Sequence, residues 1–296
     1  MSHDLHEVED LVAKASILHE ALPYIRRFHG KTFVIKYGGH AMIDPALRDS
    51  FARDVTLMKL IGIHPIVVHG GGPQIDAMLA QMGVVSERID GLRVTDERTM
   101  DIVEMVLGGR VNSEIVALMC RAGARAVGLT GKADSFLRAE KIVRMKTKAG
   151  REVDPGRVGR IVEVKTAVLD QLASGGFVPV IAPVAVDAEG RALNVNADTV
   201  AGAVAAAIKA DKLLLMTDIE GVRGSDGKIA SSMSAAGVQK LIDGGVISGG
   251  MIPKVQCALD AISAGVRKCH VVDGRVQHAA LLEIFTDEGI GTEIVA

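Results

Sequence analysis

Six short apolar runs, at 33–36, 66–69, 126–129, 178–182, 213–217 and 270–273, constrain this chain more than any other feature. Each is unbroken rather than alternating, the pattern of a strand covered on both faces. Amphipathic helical stretches separate most of them, at 45–61, 76–82, 99–122, 198–209 and 254–264. Strand alternating with helix predicts an α/β fold around a mainly parallel sheet, with ligands at the carboxyl ends of the strands. The segment 137–165, "LRAEKIVRMKTKAGREVDPGRVGRIVEVK", departs from this pattern. Its alternation and its DPG turn predict β-hairpins. Its Lys and Arg residues read as a solvated surface, with a contact patch as the alternative.

A chain of 296 residues is long enough for two domains or lobes. A net charge of −2 gives no electrostatic reason to expect nucleic acid. The longest apolar run, from Val200, is interrupted by Lys209 and Asp211, so no membrane span is expected. Asp4, Glu7, Glu9 and Asp10 give the N-terminus the wrong sign for a secretory signal. Cys120, Cys257 and Cys269 are odd in number and widely spaced, which suits core residues in a reducing, cytoplasmic compartment. The nine histidines form no ligand pair, and no protein-bound metal cage is expected. In residues 1–28, Val8, Leu11, Ala15, Leu18, Leu22 and Ile25 step by threes and fours as a helical seam. Pro23 should kink or end that helix. The seam precedes the first strand and has no sheet of its own to cover, so it suits another subunit as well as its own domain.

Two of the strands run into glycine turns, "FVIKYGGH" (33–40) and "IVVHGGGPQ" (66–74). Consecutive glycines at a helix start expose backbone N–H groups and bind anions. Such turns are common, and most are structural. The usual phosphate fingerprints fail: GxxxxGK[ST] is absent, and Ile75 spoils GxGxxG. What strengthens the case is the company of Lys36, "NVNAD" (194–198), "TDIEGV" (217–222) and "GGMIPK" (249–254), each at a strand end or helix start.

With these motifs in this order, together with "KYGGHAM" (36–42) and "GLRVT" (91–95), the chain from Gly30 onward resembles the amino acid kinase family, and within it the acetylglutamate kinases. The resemblance implies a three-layer α-β-α sandwich in two lobes. Residues 29–205 would bind the acceptor and dimerise, 206–296 would bind ATP and an arginine effector, and 1–28 would form an interlinking helix. It implies transfer of the γ-phosphoryl of MgATP to the side-chain carboxylate of N-acetyl-L-glutamate, with Mg2+ held mainly by the nucleotide phosphates. Lys36 and Lys254 match the family's pair that neutralises the transferring group, and Asp198 the carboxylate that orients them. Phosphoryl transfer needs positioning and charge cancellation more than covalent chemistry, which suits two ammoniums. No base is needed, because the acceptor carboxylate is already ionised at neutral pH.

By the same resemblance, Gly71 and Gly72 seat the acceptor, Arg93 clamps a carboxylate, and Asn194 and Asn196 bond its amide and carboxylate end. Gly38, Gly39, Thr217, Asp218, Gly250 and Met251 belong to the nucleotide side. Read without the family, Asp198 could cap a helix beginning at Thr199, Arg93 could be a surface charge, and His69 is a packed or backbone-bonded histidine. The segment 278–294, "HAALLEIFTDEGIGTEI", resembles the effector signature of the arginine-sensitive, hexameric members, which are trimers of dimers. There Glu283 would take the cationic end of L-arginine and Lys212 its carboxylate, with His270, Gly289 and Gly291 beside them. The plain alternative is a last helix and an edge strand. A PII-type signalling partner is compatible with the resemblance but not indicated by these residues. The rival functions are another acceptor on the same scaffold (aspartate, glutamate, carbamate or uridylate) and an inactive arginine sensor.

Overall fold

The computed structural model describes residues 5–89, 91–147, 150–286 and 289–296, with side chains from residue 11 onward except that of Lys146. Its centre is a sheet of strands β1 (Thr32–Tyr37), β2 (His64–His69), β3 (Ala126–Leu129), β4 (Val178–Ile181), β5 (Lys212–Thr217), β6 (Ser232–Ser234), β7 (Lys268–Asp273) and β8 (Thr292–Val295). The order is β6-β8-β7-β5-β1-β2-β4-β3. All pairs are parallel except β7–β8. The six apolar runs are thus six of the eight strands, each within two residues of its expected ends.

Period-two alternation divides these strands between two cores. Phe33, Ile35 and Tyr37 of β1, with Leu214 and Met216 of β5, face one layer, which includes the helix Pro45–Leu60. Val34 of β1, with Leu213 and Leu215 of β5, faces the other, which includes the helices Ala197–Ala207 and Met251–Ser263. Lys36 has the parity of Val34 and therefore points toward the helix Ala197–Ala207. A smaller sheet holds Leu137–Lys141, Gly159–Val164, Val184–Val186 and Ala192–Asn194. Within 137–165, Leu137–Lys141 pairs antiparallel with Gly159–Val164, and Met145–Lys146 with Glu152–Val153. Cross-strand ion pairs Arg138–Glu163, Arg160–Glu140 and Arg144–Glu152 balance its cations, which favours the solvated surface over a basic patch.

Several expectations are corrected. Pro23 does not end the N-terminal helix, which runs through it from Leu5 to Phe28. It sits on the exposed side, where the carbonyl that loses its N–H partner can be hydrated. The expected helix at 99–122 begins at Glu97, capped by Asp96, and passes through a π-helical segment, Met105–Val111. Cys120 is exposed rather than a core residue, because it lies on the outer face of the helix Asn112–Arg121; Cys257 and Cys269 are buried. The side chain of Val8 lies outside the described residues. Along the rest of the seam, Leu11, Leu18 and Leu22 are 56, 70 and 44% exposed. Among the described residues, the helix packs at home at its C-terminal end, where Phe28 is buried and Tyr24 meets Phe285.

Candidate active site

Asp198 occupies the first turn of the helix Ala197–Ala207, beneath the carboxyl end of β1. Its Oδ1 lies 3.1 Å from the Lys36 Nζ, and its Oδ2 accepts from the Lys254 Nζ at 3.4 Å. The Lys36 contact is an ion pair without hydrogen-bond geometry, so the buried Oδ1 has no hydrogen-bond partner. Lys36 also lies 3.5 Å from the Met216 carbonyl of β5. Burial pushes the Asp198 carboxyl upward; the ammoniums of Lys36 and then Lys254 outweigh it and hold the group below the usual carboxylate value. The helix is capped not by Asp198 but by Asn196, whose Oδ1 accepts from the N–H groups of Asp198 and Thr199. Asp198 is thereby left to the two lysines. Lys254 reaches it from the helix Met251–Ser263, one turn before Cys257, whose Sγ donates to the Asp198 carbonyl at 2.9 Å.

Lys36 and Asp198 line a cavity of about 230 Å³. Both glycine turns border it with Gly38, Gly39, Gly71 and Gly72, as do Arg88, Arg93, Asn194 and Asn196. Gly39 has φ of +71°, and a Cβ there would strike the Asp218 carboxylate, which accepts from the His40 N–H at 2.6 Å. Gly71 meets the Leu107 side chain of the π-helical segment with no room for a Cβ, and Gly72 opens the helix Gly72–Gln81. Arg93 is buried, not a surface charge. Its Nη2 donates to Asp76 Oδ1 at 2.6 Å and lies 3.4 Å from the Gly72 carbonyl. Arg88, which the sequence did not single out, pairs with the same Asp76 at 3.0 Å. His69 is buried and neutral: burial pushes its imidazole down to about 4. Its Nδ1–H donates to the Gly70 carbonyl and its Nε2 accepts from Asn112, so it is a structural residue.

On the other side of Asp218 lies a second cavity, of about 400 Å³, lined by Asp218, Glu220, Gly221, Ser248, Met251 and their neighbours. Gly250 directly precedes the helix that Met251 opens, and Thr217 is buried at the end of β5. Gly38 and Gly39 border the first cavity and not this one.

A third cavity, of about 700 Å³, collects Lys212, His270, Glu283, Gly289 and Gly291 with Tyr24, Arg27 and Phe28 of the N-terminal helix. A lysine can only donate, so the 3.0 Å contact of Lys212 Nζ with His270 Nε2 makes that nitrogen an acceptor. His270 Nδ1–H then donates to Glu283 Oε1 at 2.6 Å, while Glu283 Oε2 accepts from the N–H groups of Ile290 and Gly291. Burial holds the His270 imidazole down, and pushes the Lys212 ammonium down to about 8. Glu293, which the sequence did not single out, also lines this cavity and pairs with Lys268 at 2.6 Å.

The amino acid kinase family model matches residues 31–273. An acetylglutamate kinase of Citrifermentans bemidjiense is 57% identical over 98% of this chain and all of its own length. Among solved structures, N-acetylglutamate synthase from Neisseria gonorrhoeae with coenzyme A and N-acetyl-glutamate is 27% identical at a TM-score of 0.84. Its complex with coenzyme A and L-arginine is 25% identical at a TM-score of 0.80. These comparisons cover 95% of this chain but only 63 and 65% of the synthase chains. The carbamate kinase from Giardia lamblia bound to AMP-PNP shares the fold at 18% identity, with a TM-score of 0.62 over 90% of this chain and 98% of its own. The chain therefore belongs to the amino acid kinase family, among the acetylglutamate kinases, phosphotransferases whose acceptor is a carboxyl group.

Proposed function

We propose that this chain transfers the γ-phosphoryl of ATP to N-acetyl-L-glutamate between Lys36 and Lys254, with Asp198 aligning the two ammoniums. The observation that carries the reading is the convergence of a strand lysine and a helix lysine on one buried carboxylate beside the glycine turns. The acceptor occupies the 230 Å³ cavity, its side-chain carboxylate toward Gly71 and Gly72 and its other carboxylate toward Arg93. A carboxylate oxygen attacks the γ-phosphorus and forms the new O–P bond. The bridging P–O bond breaks, and its electron pair leaves with ADP. No proton moves. Lys36 and Lys254 neutralise the equatorial oxygens in flight, and Gly38 and Gly39 leave room for the phosphoryl group to approach the backbone.

ATP fits the cavity along Asp218 and Met251; Thr217 and Gly250, each one residue before them in the chain, do not line it. Asp198 is engaged by two lysines and Asp218 by a backbone N–H, so Mg2+ fits as an ion carried mainly by the nucleotide phosphates, where it would cancel charge. Trapping the acyl phosphate as a hydroxamate tests the reading. ATP-dependent hydroxamate should form with N-acetylglutamate and far less with glutamate, aspartate or carbamate. No product with any acceptor would leave the inactive-sensor reading in its place.

The regulatory half of the reading assigns L-arginine to the 700 Å³ cavity. Its guanidinium lies against Glu283, its carboxylate against Lys212, and Gly289 and Gly291 allow close backbone approach. Support comes from the gathering of all five expected residues in one cavity, closed on one side by the N-terminal helix, and from the relative bound to L-arginine. The unburied seam of that helix supports its role in joining dimers into a hexamer.

A further inference from the structure

We infer that Thr95 is a positioning residue for the acceptor. Its hydroxyl locks the Asn194 amide and the Arg93 backbone into one unit. Thr95 is wholly buried and lines neither the acceptor nor the nucleotide cavity. Its Oγ1 donates to the Arg93 carbonyl at 2.9 Å and lies 3.2 Å from Asn194 Nδ2.

The chemistry of the two contacts fixes their direction. A carbonyl can only accept, so the single hydroxyl proton goes to Arg93, and the hydroxyl must then accept from Asn194. That condition decides which end of the Asn194 amide faces Thr95. The nitrogen does, leaving one N–H and the Oδ1 for the acceptor, in an order that cannot invert without breaking the Thr95 bond. An asparagine without such a partner can rotate its amide by half a turn and present the wrong pattern.

The backbone reinforces the unit. The Arg157 N–H donates to the Thr95 carbonyl at 2.5 Å, and the Arg157 carbonyl accepts from the Asn194 N–H at 2.8 Å. The buried Arg157 side chain donates to the Ala192 carbonyl at 2.7 Å and pairs with Asp187 at 3.5 Å. One arm of the cleft carries Arg93 and the other Asn194; the Thr95 side chain bonds to both, and Arg157 closes the frame behind it.

The inference rests on the assignment of Arg93 and Asn194 to the acceptor, and the experiment separates the two. Thr95→Val keeps the shape of the residue and removes the hydroxyl; Thr95→Ser keeps the hydroxyl. Thr95→Val should raise the KM for N-acetylglutamate about tenfold, with kcat within about threefold and the KM for ATP unchanged, the pattern of lost binding shared by ground and transition states. Thr95→Ser should remain close to wild type. Asn194→Ala should raise the same KM, and adding Thr95→Val to it should raise it little further, because the two changes remove one interaction. A Thr95→Val enzyme with unchanged KM beside a weakened Asn194→Ala would overturn the role of Thr95 alone. An Asn194→Ala enzyme with unchanged KM would overturn both. Parallel losses in kcat and both KM values in Thr95→Val and Thr95→Ser alike would reduce Thr95 to a packing residue.

Discussion

Lys36 and Lys254 approach Asp198 from opposite sides, so removing either leaves the buried carboxylate with a single cation. Lys36→Ala and Lys254→Ala should each lower kcat by about 10²–10³-fold, far more than they raise the KM for N-acetylglutamate. Asp198→Asn should act similarly while remaining folded and soluble. Near-normal kcat in either lysine variant, measured at saturating ATP, would remove that lysine from the mechanism. Lys36 was legible in the sequence because strand parity and the following glycines fix where it points. Arg93 was legible only through resemblance: its burial depends on Asp76, 17 residues earlier, and on Arg88 sharing that partner. No local pattern marks Arg88, and nothing in "NVNAD" says that Asn196 rather than Asp198 caps the helix.

The strands that the sequence revealed are those in which burial on both faces demands unbroken apolar residues. Ser232–Ser234 was invisible because an edge strand of three residues, two of them serine, carries no such demand. Thr292–Val295 entered only as the edge strand of the plain alternative to an effector segment; it is in fact second from the edge, paired on both sides, and its Glu293 lines that cavity. The π-helical stretch Met105–Val111 escaped because one extra residue per turn barely disturbs a helical apolar pattern over seven residues. The N-terminal helix was legible as a seam, although it does not end at Pro23. Deleting residues 1–26 should leave an active kinase of smaller assembly, because Leu11, Leu18 and Leu22 face outward from the chain. Light scattering decides the matter: an unchanged particle mass would rule out the joining role.

Three cavities on one sheet make the molecule a device with two substrates and a proposed effector. Arginine should inhibit without strict competition, and Glu283→Ala should weaken that inhibition strongly with little change in uninhibited kcat. The effect should also depend on pH. Lys212 must carry its proton to face a carboxylate, and burial has lowered its value to about 8. The ammonium form is therefore present below pH 8 and lost above it, so the arginine concentration giving half inhibition should rise as pH passes 8. Activity indifferent to millimolar arginine would end the regulatory reading. Competitive inhibition untouched by Glu283→Ala would place the ligand elsewhere.

Strand β5 begins with Lys212, in the wall of the proposed effector cavity, and its fifth residue, Met216, lends its carbonyl to Lys36. Between the two lie four residue steps of extended backbone, about 13 Å. An extended strand held by neighbours on both sides can neither stretch nor shorten, so it behaves as a rod rather than a spring. A push on one end therefore reaches the other only as a tilt or a slide of the whole strand, and Lys36 would register arginine as a change of aim rather than a loss of charge.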